Sequence, residues 1–132
     1  MVAGLAALRL LDDDTVAYVN RLGDRLARGV REVAKQRGVA LQVTGVGSLR
    51  HLHLAAEPPT TMAGSRASQR EVMALLALRL ITEGVLAARN GLFALSTVTT
   101  EAEIDVVVEQ IARALEWLRP AIAEQAPELL RA

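Results

Sequence analysis

The run from Gly84 to Asp105 constrains the fold more than any other part of the chain, because it joins a turn signal to a helix start. Two β-like segments, Val85 to Ala88 and Leu92 to Ser96, flank the tripeptide Arg89-Asn90-Gly91. Asn-Gly is a strong hairpin signal, since both residues tolerate a positive φ. The run therefore predicts a strand, a glycine turn and a second strand.

A helix is predicted directly after this hairpin. Thr100 and Glu103 have the T-x-x-E spacing of a capping box, in which hydroxyl and carboxylate satisfy main-chain N–H groups at a helix start. The predicted helix runs from Glu101 to Leu118, and Pro120 is expected to end or kink it. Its apolar stripe consists of Ile104, Val107, Val108, Ile111, Leu115 and Leu118.

Three further helices are predicted from periodicity. The first spans Val2 to Leu11 and breaks at a run of three aspartates; the second spans Thr15 to Arg37, with Gly38 at its C-terminal cap. A third runs from about Ser68 to Glu83. The second helix has apolar residues at three- and four-residue steps, which places them on one stripe: Val16, Val19, Leu22, Leu26, Val30 and Val33.

Strand signals lie between these helices. Val39 to Thr44 alternates in polarity, and a glycine-containing turn separates it from a second segment, Leu49 to Ala55. Residues 57–65 have the composition of a loop. We therefore predict a single α+β domain over residues 1–132. It has a three-stranded, mainly antiparallel sheet covered by helices on one face, and an additional N-terminal helix.

Composition excludes several classes of partner. Basic and acidic residues number 15 each and are interleaved, which argues against a nucleic-acid partner. No apolar run approaches the roughly 20 residues needed to cross a bilayer, so we expect no membrane partner. The chain has no cysteine, which excludes disulfides and thiolate metal sites. The N-terminal apolar run lacks the basic start of a signal peptide, and a cytoplasmic protein is expected.

The order of these motifs resembles the C-terminal small domain of class III pyridoxal-phosphate aminotransferases. This group contains glutamate-1-semialdehyde aminomutase and the β-amino-acid transaminases. The run from Gly84 to Asp105 carries the resemblance. Val2 to Leu11 looks like the family's helix that begins after the cofactor-binding part, and Val39 to Leu54 looks like its strand, glycine turn and second strand.

The resemblance implies a pyridoxal-phosphate enzyme whose Schiff-base lysine, phosphate cradle and pyridine partner lie in a large domain upstream. The one lysine here, Lys35, stands within a charged helix and is interpreted as a surface residue. We therefore expect that the chain alone binds no cofactor and is inactive. The helix from Val2 to Leu11 would pack on the large domain, so either that domain or a second copy in a homo-oligomer is the expected partner.

Arg89 and Asn90 are the candidate substrate-binding residues. In the resembled family, an arginine beside this glycine turn binds a substrate carboxylate, for which a guanidinium fork is well shaped. Family members commonly place that arginine directly before the glycine, where Asn90 stands here. A solvated turn residue is therefore the alternative interpretation of Arg89.

His51 and His53 form an H-x-H pair on one face of a predicted strand. Three interpretations remain open: ordinary strand histidines, a contact to the large domain, or part of a metal site. No catalytic residue is predicted. For the whole chain, the alternative to an aminotransferase domain is a non-catalytic α+β module that binds a partner or a small ligand.

Overall fold

The computed structural model describes residues 2–67 and 70–131, which form five α-helices and three strands. The helices are α1 (Val2–Arg9), α2 (Asp13–Gln36), α3 (Met62–Ala67), α4 (Arg70–Thr82) and α5 (Glu101–Gln125). The strands are β1 (Leu41–Val46), β2 (Leu49–Leu54) and β3 (Leu92–Ala94), and a 3-10 turn spans Pro127–Leu129. The predicted α+β class, with its N-terminal helix, is confirmed.

The sheet has the order β1-β2-β3, and both pairs of neighbours are antiparallel. Val43 faces Leu52 across the first pair, and Arg50 faces Phe93 across the second. A two-residue turn joins β1 to β2, and Gly47 in it has a φ of +56°. A side chain would be strained there.

The long helices α2, α4 and α5 lie on one face of the sheet, as predicted. α2 contacts β1 and β2, α4 contacts β2, and α5 packs along α2 and α4. The buried side chains of the inward sheet face join those of the three helices in one core: Leu41, Val43, Leu52, Leu54 and Phe93 from the strands, with Leu22, Leu26, Val30, Leu76, Leu80, Ile111, Leu115 and Leu118 from the helices. The opposite sheet face lies outside this core.

Helix α2 follows its predicted stripe from Val19 onward. Val16, in the first turn, is 43% exposed. The helix begins two residues earlier than predicted because the Asp12 carboxylate accepts a hydrogen bond from the Thr15 N–H at 2.8 Å. At its other end Gly38 has a φ of +60°, which confirms the predicted glycine cap.

Helix α5 begins with the predicted capping box. The Thr100 hydroxyl accepts from the Glu103 N–H at 3.2 Å, and the Glu103 carboxylate accepts from the Thr100 N–H at 2.7 Å. Of the two predicted effects of Pro120, an end of the helix is excluded, since α5 continues beyond the predicted Leu118 to Gln125. Pro120 removes one N–H donor, but burial of Ile122 beyond it offsets that loss.

The prediction of an Asn-Gly hairpin is also wrong for its first strand. Residues 85–88 form no strand, and Gly91 alone in this turn has a positive φ, of +87°. The Gly91 N–H donates to the Ala88 carbonyl at 2.8 Å, so glycine occupies the last position of the turn rather than a central one. The Gly91 carbonyl accepts from the Leu52 N–H, which joins this segment to β2.

The region predicted as a loop before α4 contains the short helix α3. The Thr61 hydroxyl accepts from the Gly64 N–H at 3.1 Å and caps its first turn. The predicted helix from Ser68 to Glu83 is confirmed as α4 from Arg70 onward, while Ser68 and Gln69 lie outside the described residues. Gly84, with a φ of +82°, follows its C-terminal end.

Candidate functional site

A cavity of about 730 Å³ lies on the sheet face opposite the core helices α2, α4 and α5. Strands β1 and β2 supply Thr44, His51 and His53 to its floor, because alternate residues of a strand share a face. The wall is formed by α3 and the segment that leads into it, by Met73 of α4, and by the turn before β3. Thus the cavity gathers residues from five separate parts of the sequence.

The two histidines are stacked side by side on β2. Their ring centroids are 4.2 Å apart. His53 is only 2% exposed, and its Nε2 lies 2.9 Å from the Thr44 hydroxyl. Burial lowers the pKa of His53, and the charge of His51 lowers it further. His53 is therefore held neutral at neutral pH.

His51 binds the neighbouring turn. Its Nε2 lies 2.7 Å from the Asn90 carbonyl oxygen. A carbonyl only accepts, so the Nε2 of His51 carries the proton in this contact. Within residues 2–67 and 70–131, no group of three His, Cys, Asp or Glu side chains is placed to hold a metal ion.

Arg89 and Asn90 both line the cavity, so the structure brings the predicted substrate-binding residues together with the histidine pair. The Asn90 side-chain oxygen accepts from the Leu92 N–H at 3.3 Å. Arg89 is exposed. Among the described residues, it makes no hydrogen bond and no ion pair. Its guanidinium group is therefore available to a ligand.

The cavity is suited to an anion. Arg66 and Arg89 line it, and none of the described residues around it is a carboxylate. Arg66 and Met62 were missed by the sequence analysis because they belong to α3, whose six residues are too few to show a helical period.

Lys35 does not lie at this cavity. It is exposed near the end of α2 and lines a separate cleft with Arg37 and Arg119. A covalently held pyridoxal phosphate needs a lysine amine at the reacting centre. No lysine is among the described residues that line the cavity. No helix within the described residues is long and apolar enough to cross a membrane.

Comparison with known proteins connects this fold to one group of enzymes, although no protein-family model matches the chain. It is 30% identical to a glutamate-1-semialdehyde 2,1-aminomutase of Thermus thermophilus in an alignment of 119 residues that covers 87% of this chain and 28% of that enzyme. An ω-transaminase structure from Sphaerobacter thermophilus matches with a TM-score of 0.78 and 31% identity, over 89% of this chain and 27% of that one.

A structure described as a transaminase with PLP bound matches with a TM-score of 0.77 and 25% identity, over 89% of this chain and 27% of that one. Fold and sequence thus confirm the resemblance to the C-terminal small domain of class III pyridoxal-phosphate aminotransferases. Within that class, the relatives are glutamate-1-semialdehyde aminomutases and transaminases. The chain spans only about a quarter of their length.

Proposed function

We propose that the chain serves as the small domain of a pyridoxal-phosphate-dependent aminotransferase or aminomutase of the cytoplasm, and that its cavity forms the substrate side of the active site. The observation that carries this proposal is the position of Arg89. It lies at a cavity with no described carboxylate, on the sheet face opposite the core helices α2, α4 and α5.

In this role Arg89 binds the substrate carboxylate. A guanidinium group offers two parallel N–H donors that match the two oxygens of a carboxylate. Asn90 uses its side-chain oxygen to accept from Leu92, which leaves its amide N–H donors for the ligand. The two residues orient the substrate, while the cofactor chemistry belongs to residues outside this chain.

The first test concerns the chain alone, which we expect neither to hold pyridoxal phosphate covalently nor to transaminate. The chain is mixed with the cofactor, reduced with borohydride and analysed by peptide mass spectrometry. Lys35 is exposed and far in the fold from Arg89, so no stoichiometric adduct is expected. A stoichiometric, borohydride-fixed adduct on Lys35 would contradict this part of the proposal.

The second test gives the chain a large domain. The matching segment of the Thermus thermophilus aminomutase is replaced by this chain, and the hybrid's cofactor absorbance and its kinetics with amino substrates are measured. Arg89→Ala removes a charge-assisted hydrogen bond to the substrate, worth about 1.5–3 kcal/mol. We therefore expect KM to rise roughly tenfold to a hundredfold.

The matched control is Arg28→Ala, which removes the same charge from the exposed side of α2, away from the cavity. It is expected to leave KM unchanged. Equal kinetics for the two variants would show that Arg89 is the solvated turn residue of the alternative interpretation. A hybrid that folds but forms no cofactor absorbance would favour the non-catalytic module.

A further inference from the structure

We infer that His51 is a positioning residue: it holds the turn that carries Arg89, and so fixes where the guanidinium group meets the substrate. This inference rests on the proposed function of Arg89. It starts from one contact, the 2.7 Å hydrogen bond from the Nε2 of His51 to the Asn90 carbonyl.

One main-chain hydrogen bond also reaches the turn from the sheet, since the Leu52 N–H of β2 donates to the Gly91 carbonyl at 3.0 Å. Residues 85–90 belong to no strand, so no sheet ladder holds them. Within the turn, Gly91 donates to Ala88, and Ala88 donates to Leu92 at 3.2 Å. Among the described residues, His51 is the one side chain outside the turn that hydrogen-bonds the main chain of residues 88–91.

His51 is itself held in place. It is a central residue of β2, paired with Thr44 on one side and Leu92 on the other. Its ring lies against that of His53, which is buried and hydrogen-bonded to Thr44. A chain of contacts therefore runs from strand β1 through both imidazoles to the carbonyl next to Arg89.

The geometry explains why this chain of contacts affects substrate binding. A misplacement of about 1 Å in a substrate-positioning group can cost as much as a hundredfold in rate. The hydrogen bond is made to the peptide group between Asn90 and Gly91, one residue after Arg89. Loss of the bond lets this peptide turn, and the start of the arginine side chain moves with it.

The test uses three variants in the full chain and in the hybrid enzyme described above. His51→Leu removes the donor. His51→Gln keeps an N–H donor at a position similar to Nε2 and should restore the contact. Gln42→Leu is the control, since Gln42 also bonds main-chain carbonyls, at Ala55 and Ala56, but away from the turn.

In the full chain, NMR follows the Asn90 carbonyl carbon and the Gly91 amide. We expect both signals to shift in His51→Leu, to return toward the parent values in His51→Gln, and to stay unchanged in Gln42→Leu. In the hybrid, His51→Leu should raise KM for the amino substrate between about tenfold and a hundredfold with little change in kcat, and His51→Gln should recover most of it.

The inference is overturned if Arg89→Ala raises KM while His51→Leu does not, or if His51→Gln behaves like His51→Leu. If Arg89→Ala itself leaves KM unchanged, the proposed substrate role fails, and the positioning role fails with it. In that case the NMR shifts would show only a structural contact. The two failures are therefore distinguishable.

Discussion

At the scale of single residues, Gly23 shows how closely α2 approaches the sheet. A Cβ atom built on Gly23 would lie 1.9 Å from the Gly47 carbonyl oxygen, in the turn between β1 and β2. That oxygen belongs to the backbone and cannot move as the end of a side chain can. The glycine is required by this close approach, although it stands inside a helix where glycine is otherwise unfavourable.

We predict that Gly23→Ala destabilises the protein by about 1–3 kcal/mol or more, because the helix and the turn must separate. The measurement is urea unfolding followed by circular dichroism. Gly4→Ala is the matched control, since an added Cβ at Gly4 meets nothing within 4 Å. The control should not lose stability, because alanine favours a helix more than glycine does. Equal stability of the two variants would contradict the close approach.

His53 leads to a prediction about pH. Its pKa is lowered from the usual 6.5 in the folded protein, so the unfolded chain takes up the proton at a higher pH than the folded one. Stability is therefore greatest above about pH 6.5 and falls as the pH drops toward the folded pKa. His53→Gln removes this proton uptake, and its free energy of unfolding should fall less between about pH 7.5 and 5.

The free energy of unfolding is measured by urea titration at several pH values across this range. Parent and variant are compared by the slope of that free energy against pH, not by its absolute value. Asp12, Glu103 and Asp105 do not interfere. Their pKa values are lowered by hydrogen bonds to Thr15, Thr100 and Arg25 respectively, so their contributions are lost only below about pH 4.5. Parallel pH profiles for parent and variant would refute the role of His53.

At the scale of elements, the start of α5 is held by the reciprocal hydrogen bonds of Thr100 and Glu103. Thr100→Ala removes the cap and is expected to cost about 1 kcal/mol. The control is Thr97→Ala. Thr97 is exposed and makes no hydrogen bond among the described residues, so this change should leave the free energy of unfolding unchanged. The two variants are compared by urea unfolding, and an equal cost would show that the capping box adds nothing.

At the scale of the whole molecule, helix α1 is barely attached to the rest. The helix ends at Arg9, two residues before its predicted end. Its apolar residues Val2, Leu5 and Leu8 are exposed, as are Leu10 and Leu11 directly after it, and Leu8 has 67% of its surface in water. Exposed apolar patches of more than a few hundred Å² usually mark an interaction site. The large domain implied by the resemblance would be one occupant of this surface, and a second copy of the chain would be the other.

We predict that the chain on its own forms a homodimer or a higher oligomer whose interface includes Leu5, Leu8 and Leu11. Light scattering at micromolar concentration measures the mass directly. Leu8→Asp should lower the mass to that of a monomer, because a charge in the interface must be desolvated. A parent chain that is already monomeric, with mass and solubility unchanged by Leu8→Asp, would mean that α1 needs no partner.

The sequence alone determined the elements whose signals are local. The capping box at Thr100, the glycine after α2 and the apolar stripes of α2 and α5 each depend on residues within one or two turns, so they predict structure without knowledge of the fold. The order of the elements also carried the resemblance to the aminotransferase small domain. Arg89 and Asn90 were found through that resemblance.

Tertiary structure alone decided the features that depend on distant partners. Residues 85–88 have β-like composition but form no strand, and the tertiary structure buries Val85 and Ala87 of this segment in the core instead. Pro120 lies within α5, where burial of Ile122 offsets the lost hydrogen bond. At the cavity, His51 hydrogen-bonds the main chain of Asn90, in a turn 39 residues further along the chain. Contacts at such separations follow from packing of the whole chain, which no local pattern of residues records.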